Sequence, residues 1–131
     1  MIGLDTNVLV RYLTQDDPAQ ARRATRAIEE PTENGEDFFI TCVVMCELVW
    51  VLREAYDYPQ GAVADVLEQI LRTAQFRFES KDQLWQALHD YRQGKADFAD
   101  YLIGRICTQR GCERVLTFDK AIRNVPIFEC L

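Results

Sequence analysis

MIGLDTNVLV, residues 1–10, holds the junction on which the fold turns. Met1, Ile2 and Leu4 read as a short buried strand, and Val8, Leu9, Tyr12 and Leu13 carry the spacing of a helix. Between them, Asp5, Thr6 and Asn7 put a carboxylate and two polar side chains where a strand hands over to a helix. An aspartate there is either a helix N-cap or part of a site. The junction alone does not separate the two.

The same handover recurs along the chain. Asp16 or Asp17 with Pro18 starts a helix over AQARRATRAIEE that Pro31 stops, and Asn34 and Gly35 form a turn. FFI is a second strand, running into a helix from about Cys42 to Tyr56. Pro59 opens another helix, with Val63, Val66, Leu67, Ile70 and Leu71 at helical spacing. FRFE is a third strand; Ser80 caps the next helix and Gly94 ends it. DFADYLIGRICTQRG is a helix closed by Gly111, ERVLTFD a fourth strand followed by a short helix, and VPIFEC a fifth strand. Alternating strands and helices predict one domain over 1–131, an α/β fold. Its form is a three-layer α/β/α sandwich with a mainly parallel central sheet of four or five strands. Sites in such sheets form beyond the carboxyl ends of the strands, where Asp5 and Asp119 both fall.

Composition narrows the chemistry. The chain has 131 residues, 48% hydrophobic, with a formal charge of −6. That argues against a simple basic clamp for nucleic acid but not against an enzyme with acids in one cleft and arginines at its rim. Twelve of the 15 basic residues are arginine, suited to bidentate phosphate contact. The five cysteines are odd in number and mostly in apolar contexts. No secretory leader is read at the start, so a reduced, cytosolic compartment is expected. Cys42 and Cys46 lie a helical turn apart, but no Cys/His set completes a zinc site and buried thiols are expected. The apolar run FFITCVVMCELVWVL is too short for a membrane span and contains Glu47.

Most of the 21 acidic residues belong on solvated helix faces. Asp5 and Asp119 end strands. Glu47 shares a helix side with Val43 and Val51, which aims its carboxylate at the apolar side, where it needs a proton, a cationic partner or a metal. Asp97 and Asp100, three apart at a helix start, face similarly, and Gly104 leaves room for something to approach. Each has a structural explanation as a cap, turn or ion pair. Together they would converge on one sheet edge. Two such charges ~4 Å apart repel by ~4 kcal/mol at an effective dielectric near 20, so a cation has to join them. Ligands that are all oxygen favour a hard divalent ion, Mg²⁺ or Mn²⁺.

DTNVLVR (5–11), CELVWVLR (46–53), DFADYLIG (97–104) and LTFDKA (116–121) together resemble the PIN-domain ribonucleases, and among them the VapC-type toxins of bacterial toxin–antitoxin pairs. The resemblance spans nearly the whole chain; each motif alone is weak. It implies that Asp5, Glu47, Asp100 and Asp119 are the acidic quartet. Asp5 and Asp100 would be the main metal ligands, Asp119 would complete the shell, and Glu47 would bind a second ion or orient the attacking water. Asp97 takes an accessory or capping role, and Asn7 and Thr117 match polar positions lining family sites. The implied activity is that of an endoribonuclease hydrolysing RNA with metal-activated water, with a VapB-type antitoxin and a homodimer as partners and no membrane association. To bring RNA to an acidic chain, Arg11 is the candidate nearest the site, followed by Lys95, Arg105, Lys120 and Arg123.

Three rivals stand beside this. An aspartyl-phosphate phosphatase would need a second acid where Asn7 stands. A DNA nuclease would use the same acids, and a non-catalytic module would keep the scaffold alone. The lone His89 excludes a histidine-pair RNase mechanism.

Overall fold

Strands and helices alternate in the computed structural model, which describes residues 1–131. In chain order they are β1 (Ile2–Gly3), α1 (Thr6–Thr14), α2 (Pro18–Glu33), β2 (Phe38–Ile40), α3 (Cys42–Glu54), α4 (Gln60–Leu71), β3 (Phe76–Phe78), α5 (Lys81–Gln93), α6 (Phe98–Gln109), β4 (Val115–Thr117) and β5 (Phe128–Cys130). A 3-10 turn over Lys120–Ile122 joins the last two strands. This is the α/β sandwich that the alternation predicts, and every strand pairing is parallel.

The sheet differs from expectation in one respect: it is divided. β1, β2 and β3 form one sheet in that order, and β4 and β5 form another. Strand length gives the reason. The amides of Ile2 and Leu4 both donate to the β2 side, to Asp37 and Phe39. Successive residues of a strand direct their main-chain groups to opposite sides, so Gly3 alone faces away from β2, too little for a second ladder.

Twenty-six buried residues form one core. Phe38 of β2 meets Phe76 of β3 edge-on, with ring centroids 6.3 Å apart, and Tyr91 of α5 meets Phe98 of α6 in the same way at 5.9 Å. α3 buries Val44, Met45, Leu48, Val49 and Leu52. Its opposite side carries Val43 and Trp50, about two-thirds exposed, with Glu47 between them. Glu47 therefore stands on the solvent side of α3 and not, as expected, among the apolar residues. The first strand also departs from expectation: Met1 and Ile2 are exposed and only Leu4 is buried.

Local chemistry sets the element ends. Asp17 caps α2 through Gln20 N–H at 3.1 Å, with Pro18 in the first turn. Pro31 does not stop α2, which runs on to Glu33, because a proline in the last turn removes only one bond of the ladder. Ser80 occupies the N-cap position of α5 with φ +55° and makes no capping bond. Gly111, just past α6, has φ +87°, the left-handed conformation glycine adopts without strain. Thr41 caps α3 through Val44 N–H, and Glu79, beyond β3, accepts from Cys42 N–H at 2.8 Å. The start of α3 is thus tied to the ends of two strands.

Arg11 is held by the scaffold. Its Nε donates to Gln20 at 2.6 Å, and its Nη1 donates to Asp16 and to the Tyr56 hydroxyl, both at 3.0 Å. The Tyr56 hydroxyl in turn donates to Asp16 at 2.7 Å. Bonds from Tyr56, Thr14 and Arg11 hold the Asp16 carboxyl at about 2. Arg11, the candidate for substrate contact, is thus engaged by Gln20, Asp16 and Tyr56 within the chain.

Leu48 is wholly buried. Leu48→Ala is expected to cost about 2–5 kcal/mol in urea unfolding. Glu47→Ala, one residue away on the exposed side, is expected to stay within about 1 kcal/mol of the wild type.

Candidate active site

The acids singled out by the sequence fall into two groups at the carboxyl ends of the strands. In the first, Asp5 follows β1 as the N-cap of α1, and its Oδ1 accepts from Thr6 N–H at 2.9 Å. Thr6 is the one buried polar side chain. Its Oγ1 donates to Glu47 Oε1 at 3.1 Å, fastening the exposed face of α3 to the β1–α1 junction. Glu47 is thereby placed beside Asp5 by a threonine that charge patterning does not mark; only its seat between Asp5 and Asn7 could have pointed to it. Asn7 is exposed and its side chain makes no hydrogen bond within the chain.

The second group lies on α6 and after β4. Asp97 is at the N-cap position of α6 but makes no capping bond, so its carboxylate is not used as a cap. Asp100 sits in the first turn, half-buried. Burial raises its pKa first, and the charges of Asp119 and Asp97 raise it further. Asp119 follows β4: its amide donates to Thr117 Oγ1 at 3.0 Å, and its Oδ1 accepts from Ala121 N–H at 2.8 Å. Thr117 therefore fixes the turn that presents Asp119. Gly104, one turn after Asp100, does not make room for a ligand. A Cβ there would come within 2.8 Å of the Phe128 ring, so the glycine admits β5.

The helices that carry Glu47 and Asp100, α3 and α6, are in contact. A groove of about 310 Å³ is walled by Cys46 and Trp50, which flank Glu47 along α3, and by Asp97 and Ala99, which precede Asp100.

The donor set suits a hard divalent cation. All the candidate ligands are carboxylates, and none of Asp5, Glu47, Asp97, Asp100 and Asp119 takes part in any of the chain's ion pairs. The pKa of Asp100 is raised by burial first, and the charges of Asp119 and Asp97 add to it. No three side chains of the His, Cys, Asp or Glu type are already gathered at ligating distance. The quartet is therefore two pairs and not a closed cage. Magnesium is commonly held by one or two carboxylates together with waters and substrate phosphates, and two pairs fit that habit. The cysteines offer no competing site. All five are free, Cys42 and Cys46 are partly buried, Cys112 and Cys130 are exposed, and burial followed by Glu79 pushes the Cys42 thiol up to about 12.

The family of the chain is shown by comparison with known proteins. The model of the PIN domain matches residues 2–127, and the chain belongs to the PIN-domain family. Among characterised proteins it is similar to a VapC ribonuclease of Aquifex aeolicus (strain VF5), 26% identical over 122 residues, which cover 93% of this chain and 90% of that protein.

Asp100 gives a test of the charge cluster. A carboxyl whose pKa is raised on folding contributes stability that is fully present below its unfolded value and is lost as pH rises through its folded value. Asp100→Asn is thus expected to raise the Tm of metal-free protein at pH 7 by roughly 2–4 °C. The gain should vanish at a pH low enough to protonate all the acids. Thermal melts at both pH values in the presence of chelator read it out.

Proposed function

We propose that this PIN-domain chain is a Mg²⁺- or Mn²⁺-dependent endoribonuclease, the toxin of a VapBC-type pair. The observation that carries the reading is the set of carboxylates on and around the carboxyl ends of parallel strands, none of which has a basic partner. The similarity to a protein named VapC ribonuclease supports RNA as the substrate.

In this reading Asp5, Asp100 and Asp119 hold the ion, and Glu47 serves a second ion or the attacking water. When bound, the ion supplies Lewis-acid polarisation of the phosphate and lowers the pKa of water near it. The chain's own part is positional. Thr6 occupies one oxygen of Glu47, leaving Oε2 to orient a water and accept its proton. Thr117 and the Ala121 amide hold Asp119, leaving its Oδ2 free to act as a ligand. Asp97 adds negative charge beside Asp100 and is accessory. No side chain is needed as a nucleophile, and His89, exposed on α5, has no part.

A cytosolic location, a homodimer and a VapB-type antitoxin are the setting this reading implies. No helix is long and apolar enough to cross a membrane. The exposed Val43 and Trp50 beside Glu47 offer apolar surface for a protein partner close to the site.

Asp5→Ala and Asp100→Ala are each expected to reduce cleavage of total cellular RNA at least a hundredfold with the far-UV circular dichroism unchanged. Chelator should abolish wild-type cleavage, and Mg²⁺ or Mn²⁺ should restore it. Glu47→Gln keeps an acceptor for Thr6 and should remain folded while losing most activity. A wild-type rate in either alanine variant, or preferential cutting of single-stranded DNA in a parallel digestion, would overturn the assignment.

A further inference from the structure

A depression of about 1090 Å³ lies between α5 and α6 on one side and the 3-10 turn and the segment leading to β5 on the other. Four cations line it: Lys95, Arg105, Lys120 and Arg123. Arg105 is neutralised by a bidentate pair with Asp90, at 2.7 and 2.8 Å. Lys95, Lys120 and Arg123 belong to no ion pair, although acidic residues outnumber basic ones in the chain. Glu113 is the one other acid in the lining. An acidic protein that gathers three unneutralised cations in one depression has made a local site for polyanions.

The position of the depression relative to the acids gives it a use. Lys120 directly follows Asp119, and Tyr101 directly follows Asp100. Gly104 and Thr108, four and eight residues after Asp100 on the same side of α6, line its wall. The depression therefore has walls built by residues that adjoin Asp100 and Asp119 in the chain, and between Tyr101 and Thr108 it follows α6 for about 10 Å, at 1.5 Å per residue. Lys95 also lines the smaller groove beside Trp50, so a cation stands where the two depressions adjoin.

We infer that this depression is the track along which the backbone of single-stranded RNA lies on its way to the acids, with Lys95, Lys120 and Arg123 contacting successive phosphates. The inference rests on the ribonuclease reading and adds to it the path of the substrate and the residues that hold it. The track explains how a chain of charge −6 can take up RNA when Arg11 is occupied elsewhere. Arg105 forms part of the wall, since its charge is already balanced by Asp90.

The test compares two triple variants of equal net charge. K95Q/K120Q/R123Q removes the track, and R22Q/R23Q/R26Q removes three cations from α2, which lines no part of the depression. Binding of a fluorescein-labelled single-stranded RNA is followed by anisotropy in EDTA, which holds off cleavage, across a series of salt concentrations. The track variant is expected to bind at least tenfold more weakly. Its slope of log K against log salt should be shallower by about 2, since each lost phosphate contact on a single strand removes about 0.7. With Mg²⁺ its kcat/KM for RNA should fall while kcat at saturation is kept. The α2 variant should stay within about twofold of wild type, and thermal melts confirm that both are folded.

Equal behaviour of the two variants would overturn the track. So would track-dependent binding of poly-L-glutamate with unchanged RNA binding, which would assign the depression to an acidic polypeptide. Wild-type cleavage of RNA with no effect of the track variant leaves the nuclease reading standing and removes this inference. Track-dependent RNA binding by a wild type that cuts nothing does the reverse.

Discussion

Like charges gathered without a counter-cation have to be held in place by the rest of the chain. Five carboxylates, Asp5, Glu47, Asp97, Asp100 and Asp119, stand at or near the carboxyl ends of strands, and none has a lysine or arginine to relieve it. What holds them is neutral: the Thr6 hydroxyl on Glu47, the Thr6 amide on Asp5, and the Ala121 amide on Asp119, whose own amide is tied to Thr117. These bonds orient the acids without cancelling their charge. The remaining repulsion appears at Asp100, the most enclosed of them. The arrangement spends folding free energy on a site, as proteins commonly do where function requires local strain or charge.

The basic residues are distributed to suit. Those near the first acidic pair are engaged in structure: Arg11 in its bonds to Gln20, Asp16 and Tyr56, and Arg53 on the Tyr58 carbonyl. Three without an ion pair, Lys95, Lys120 and Arg123, line the depression between α6 and the 3-10 turn, while Arg22, Arg23 and Lys81 stand unpaired on α2 and α5.

Much of this was legible in the sequence, and the failures have particular causes. Element order followed from Gly, Pro and Asp punctuation and from apolar spacing, and the acids at strand ends followed from order. The phase of α3 did not. CVVMCELVWVL is apolar on every side, so no stripe picks out the buried one, and Val43 and Val51 suggested burial for a residue that faces solvent. What approaches Gly104 and what engages Arg11 are not legible, because the neighbours concerned are remote in sequence. Phe128 is the neighbour of Gly104, and Tyr56 lies on the far side of α3 from Arg11 in chain order. The division of the sheet depends on how many residues of β1 remain free after pairing, which short strands do not announce.

That division reaches into the dynamics of the molecule. Asp5 is rooted in the three-stranded sheet and Asp119 in the two-stranded one, with no ladder hydrogen bonds between them. The β4–β5 unit can undergo sub-global opening without breaking a rung of the larger sheet, and its amides should exchange with solvent hydrogen on their own schedule. Any species that bridges the two roots then acts as a clasp between separately opening units, and its occupancy would be written into the exchange rates of Val115–Thr117 and Phe128–Cys130.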